Sequence, residues 1–187
     1  MNLRQLPNVI TGVRMALVVP LVWSLHAANY GLALGLALAA GVSDAVDGWL
    51  ARRFGWRTPL GSLLDPIADK LLLVGSFLGL WLVGVAPAWL TALVIGRDVV
   101  IVAGAVAYHN LIGPLQGEPS WVSKATTVAQ IALVLLWLVV LAVRPLPAMV
   151  VPVMIGMVAV LTAASGIDYV VRWGLRARRT LQARQRG

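Results

Sequence analysis

The chain has 187 residues, of which 60% are hydrophobic and 12% charged, against about 45–50% and about 25% in an ordinary soluble domain. A mean hydropathy of +0.87 leaves too little polar material for a water-facing surface, so a membrane is the expected solvent. Disorder, a soluble nucleic-acid module and a secreted disulfide scaffold are excluded, the last also by the absence of cysteine. Fifteen Lys and Arg against seven Asp and Glu give a net charge of +8. Six of the arginines (Arg172, Arg176, Arg178, Arg179, Arg184 and Arg186) fall in the last sixteen residues. Such a tail suits an anionic membrane surface, with no nucleic acid as partner.

Taken in chain order, six apolar segments are expected at about 7–27, 31–54, 59–84, 87–109, 121–143 and 147–171. His26 and Asn29 mark the first break, and Gly55, Thr58 and Pro59 supply cap and first-turn chemistry at the second. Gly84 to Pro87, Asn110 to Ser120 and Arg144 to Pro147 mark the others. The expected fold is an all-α integral membrane protein with six transmembrane helices over residues 1–172, followed by a basic tail at 173–187. Arg4, Arg53, Arg57 and the C-terminal arginines share one side of this arrangement, which puts both termini in the cytoplasm. An apolar run after Arg4 resembles a signal peptide, but Arg14 interrupts it and five more spans follow.

The acids Asp44, Asp47, Asp65, Asp69 and Asp98 lie inside these spans. An aspartate at mid-span costs about 2.5–3.5 kcal/mol on insertion scales. They must be compensated. Asp44, Asp47, Gly48, Ala51 and Arg52 recur at the spacing of one helical face, and so do Gly61, Asp65 and Asp69 in the next span. With a short turn between them, the two helices are expected to be antiparallel neighbours with facing acid stripes. Four carboxylates would then line a cavity open to the cytoplasmic side. Carboxylate oxygens suit hard cations, and two divalent ions, Mg²⁺ or Mn²⁺, would balance four negative charges. Such a pair can clamp both oxygens of a displacement at phosphorus.

The run Asp44-x-x-Asp47-Gly48-x-x-Ala51-Arg52, eight residues, Gly61-x-x-x-Asp65-x-x-x-Asp69 resembles the complete signature of the CDP-alcohol phosphotransferases. That resemblance implies a six-span membrane enzyme, a homodimer, that moves a phosphatidyl or similar group from a CDP-linked donor to an alcohol and releases CMP. It implies Asp44, Asp47, Asp65 and Asp69 as metal ligands, with Asp69 also a candidate for the base that takes the acceptor's proton. Gly48, Ala51 and Arg52 would cradle the cytidine and diphosphate. The opening LPNVITGVR is similar to the family's N-terminal segment, which adds Asn8 and Thr11 to the donor site, and Thr58 is a further phosphate contact.

For the acceptor the candidates are Arg97 and Asp98 in the fourth span and Lys124 in the fifth. Here the pattern resembles the branch holding phosphatidylglycerophosphate synthases and cardiolipin synthases. Asp98 after Arg97, Ser123 before Lys124 and Thr126 in place of a second lysine look like the cardiolipin synthases. A monoanionic phosphodiester needs fewer cations than the dianion glycerol-3-phosphate. The expected reaction joins CDP-diacylglycerol to phosphatidylglycerol in a bacterial-type inner or plasma membrane, with glycerol-3-phosphate as the alternative acceptor. An intramembrane cation transporter is the rival of another class, and it gives Gly48, Ala51 and Arg52 no task.

Overall fold

The computed structural model describes residues 6–55, 59–111 and 120–186. Thr58, one of the expected phosphate contacts, lies outside them. Six helices follow one another: α1 (Leu6–His26), α2 (Tyr30–Arg53), α3 (Pro59–Leu82), α4 (Ala88–Leu111), α5 (Trp121–Ala142) and α6 (Val150–Arg186). No strand occurs among the described residues. All but α3 are long and apolar enough to cross a membrane. Helix α3 matches them in length but carries Asp65, Asp69 and Lys70 in its first half.

The helix ends follow from local chemistry. Between α1 and α2 the chain reverses through Ala28, at φ 55°, and the Asn29 side chain accepts the Leu32 N–H at 3.2 Å. Helix α2 closes with Phe54 N–H on the Leu50 carbonyl; Gly55 then takes φ +66°, a conformation that costs a glycine little. Pro59 opens α3, where its missing N–H goes unmissed. The basic stretch expected as a tail at 173–187 is helical as far as Arg186, the unbroken continuation of α6.

The helices form two compact units. One takes the chain through Pro87 together with Val134–Ala148; the other takes Ala88–Leu133 and the chain from Met149 onward. In the first, α1 packs against both α2 and α3. Helix α1 joins the two acid stripes, since Arg14 Nη1 donates to both Asp44 of α2 and Asp69 of α3. Its buried stripe carries Thr11, Arg14, Leu21, Ser24 and Leu25, at the spacing of one helical face. Gly75 and Gly79 let α3 come close, since a Cβ on them would stand 2.5 Å from Val18 Cγ1 and 2.8 Å from Leu25 Cδ1. In the second unit α4 packs on α6, and the first half of α5 is tied to α6 by side-chain bonds described below.

Candidate functional site

Arg14 is fully buried, halfway along a membrane-length helix. A guanidinium there is as costly as an aspartate unless its charge is met. It is met three times. Nη1 donates to Asp44 Oδ1 at 2.6 Å and to Asp69 Oδ1 at 2.9 Å, while Nη2 donates to Asp47 Oδ2. One turn earlier, Thr11 Oγ1 donates to Asp65 Oδ1 at 2.8 Å. All four signature aspartates are therefore gathered on α1, those of α2 through Arg14 and those of α3 through Thr11 and Arg14.

The contacts also fix helix direction. Thr11 with Asp65, Arg14 with Asp69, and Val18 beside Gly75 advance together along α1 and α3. The two helices thus run parallel, and α2 runs antiparallel to both. The cluster has depth as well: Arg14 and Asp47 are buried, whereas the side chains of Asp44 and Asp69 are 50% and 52% exposed. A buried floor carries an accessible carboxylate rim.

The donor set, four carboxylates gathered around α1, is one a hard divalent ion would accept. Three of them converge on the guanidinium. Among the described residues no group of three acid or histidine side chains converges on a common ion position. The chemistry of the donors fits a metal, then, while their arrangement is centred on Arg14.

Of the residues expected to hold the donor, Asn8 stands one turn before Thr11 on α1. Gly48 is half-buried beside Asp47, and Ala51 and Arg52 lie in the last turn of α2. Gly61 is buried in the first turn of α3. Thr11 is buried and bound to an aspartate, so its first task is to hold Asp65.

The second unit holds a separate polar cluster. Arg97 is 6% exposed, and its Nη1 donates to Asp98 Oδ1 at 2.7 Å. Its Nη2 donates to Ser123 Oγ at 2.5 Å and to Ser165 Oγ at 2.6 Å, and Nε reaches the same Ser165 oxygen at 3.2 Å. Four of the five guanidinium N–H groups are engaged. Deeper in the unit, Gln130 Nε2 donates to Thr162 Oγ1 at 3.1 Å. Thr126 is fully buried, its hydroxyl shared between the Val122 and Leu161 carbonyls. Lys124 points elsewhere: it is exposed, its ammonium 5.1 Å from the centre of the Trp121 ring.

Two groups escaped the sequence reading. Arg14 reads in sequence as an interruption of an apolar run, although Asn8, Thr11 and Arg14 recur every third residue on one helix face. An unexplained cation inside a span is itself the signal, because buried aspartates need one. Ser165 was missed because a lone serine in an apolar helix carries no such demand.

Residues 4–170 match the family model for CDP-alcohol phosphatidyltransferase. The chain belongs to that family, and its class is that of a phospholipid-synthesis transferase of the membrane. A probable phosphatidylglycerophosphate synthase of Mycobacterium tuberculosis is 32% identical over 91% of this chain and 82% of its own length. The human cardiolipin synthase (CMP-forming) is 32% identical over 69% of this chain and 48% of its own. A CDP-diacylglycerol–glycerol-3-phosphate 3-phosphatidyltransferase of Pseudomonas fluorescens is 36% identical over 70% and 71%. The relatives thus divide between two acceptors.

Proposed function

We propose that the chain transfers the phosphatidyl group of CDP-diacylglycerol to phosphatidylglycerol, giving cardiolipin and CMP. Asp44, Asp47, Asp65 and Asp69 hold two divalent ions, Mg²⁺ or Mn²⁺, in a cavity that opens to the cytoplasm. Such ions, when bound, offset negative charge on the diphosphate and on the departing CMP. Arg52, with Gly48 and Ala51 giving close approach to α2, receives the diphosphate, and a guanidinium can fork across two of its oxygens. Asp69, half-exposed on the rim, takes the proton of the acceptor hydroxyl. A carboxylate is a weak base for an alcohol, so charge stabilisation carries most of the rate. Active homodimers with both termini in the cytoplasm complete the reading.

The observation that carries the choice of acceptor is the engagement of Arg97. With Asp98, Ser123 and Ser165 on four of its N–H groups, it keeps little donor capacity, and its charge is paired with that of Asp98. That suits a monoanionic phosphodiester better than a dianionic phosphate monoester. The second reading, glycerol-3-phosphate as acceptor, is favoured by the match to the mycobacterial synthase over 91% of the chain. The deciding experiment offers the two acceptors separately to purified protein in liposomes with CDP-diacylglycerol and Mn²⁺. Cardiolipin as the main product supports the proposal, and phosphatidylglycerophosphate alone transfers it to the second reading.

A further inference from the structure

Helices α2 and α3 carry the acid stripes, Asp44 with Asp47 and Asp65 with Asp69. Four carboxylates brought together on two helices repel one another in a poorly screened interior. Something must hold them. Arg14 of α1 touches both stripes, binding Asp44 and Asp47 from α2 and Asp69 from α3.

We propose that Arg14 is the positioning residue of the aspartate cluster, whose two terminal nitrogens draw the acid stripes of α2 and α3 into one site and orient their carboxylates for a divalent ion. Three features carry this. The guanidinium is completely buried, so it lies beneath the rim and not in the path of a ligand. It takes one named oxygen from each of the three carboxylates, which leaves the other oxygen of each for a second partner. Its flat fork reaches Asp44 and Asp69 from Nη1 while Nη2 holds Asp47, a geometry that a single ammonium nitrogen cannot copy. Groups that support ligating carboxylates in this way typically change metal affinity about 10- to 100-fold when removed.

The inference rests on the proposed metal reading for its first readout, so the test carries a second that does not. Mn²⁺ binding is measured by titration calorimetry on the purified protein without nucleotide or lipid substrate, for wild type, Arg14→Gln and Arg14→Lys. Arg14→Gln should weaken binding about tenfold or more, and Arg14→Lys should recover only part of the loss. Unchanged binding, tighter binding on removal of the positive charge, or full recovery by lysine would overturn the proposal. The absence of cysteine allows clean spin labelling of Val42→Cys on α2 and Leu71→Cys on α3, both exposed. In metal-free protein, Arg14→Gln should lengthen and broaden the inter-label distance by several ångströms, with Arg14→Lys between the two. If wild type binds no Mn²⁺, the metal reading falls and this distance alone decides the role of Arg14. An unchanged distance overturns it.

Discussion

Val18 and Gly75 bring α1 and α3 into backbone-close contact: a Cβ on Gly75 would stand 2.5 Å from Val18 Cγ1. Farther along the same pair of helices Arg14 holds Asp69 and Thr11 holds Asp65. The glycine follows the carboxylates on the same helix, and it sets the separation across which those bonds are made. Gly75→Ala should therefore cost about 1–3 kcal/mol through overpacking and lower activity by displacing Asp69 from Arg14. Adding Val18→Ala should return part of the stability, a positive coupling visible in a double-mutant cycle by thermal unfolding in detergent.

Thr126 bears on acceptor choice in a way its spacing did not disclose. From sequence it stands where a second lysine would help to hold glycerol-3-phosphate, and Thr126→Lys would be expected to improve use of that substrate. The hydroxyl instead lies fully buried between the Val122 and Leu161 carbonyls. A lysine there would carry an unpaired charge into the α5–α6 contact, at about 2.5–3.5 kcal/mol. Thr126→Lys should thus lower the unfolding temperature without a gain on glycerol-3-phosphate. Improved turnover of that substrate at unchanged stability would contradict the account.

Much of the fold was legible in the sequence, because span length, glycine, proline and asparagine are local signals. The expected segments end within a few residues of α1 to α5, and only α6 runs well past its expected end. Which helices neighbour one another was not legible. Periodicity places Asp44 with Asp47 and Asp65 with Asp69, but it is silent on the helix between the two faces. The part of α1 shows only in the structure, where Val18 and Leu25 meet Gly75 and Gly79 of α3 and Arg14 joins the acids of both helices. Arg97 repeats the lesson: Asp98 is its chain neighbour, while Ser123 and Ser165 come from other helices.

Arg52 lies in the last turn of α2, beyond the aspartates. If it forks across the donor's diphosphate, Arg52→Lys keeps the charge and loses the second parallel bond. A charge-assisted hydrogen bond contributes about 1.5–3 kcal/mol, so kcat/KM for CDP-diacylglycerol should fall roughly ten- to a hundredfold. Steady-state kinetics at fixed acceptor would check it; unchanged KM and kcat would assign Arg52 a structural part only.

The account turns on the aspartates gathered around α1 as the place where CMP is released, and Asp44→Asn tests it most directly. Asp44 lies on the accessible rim and gives one oxygen to Arg14, so the amide can keep that contact while losing the negative charge. CMP release from CDP-diacylglycerol should be measured in liposomes for wild type and Asp44→Asn, each with Mn²⁺ and with excess chelator, alongside the unfolding temperature of both proteins. The account predicts CMP release from wild type with Mn²⁺ alone, and loss of at least about a hundredfold in the variant at nearly unchanged stability. Full activity of folded Asp44→Asn, or of wild type in chelator, would contradict it.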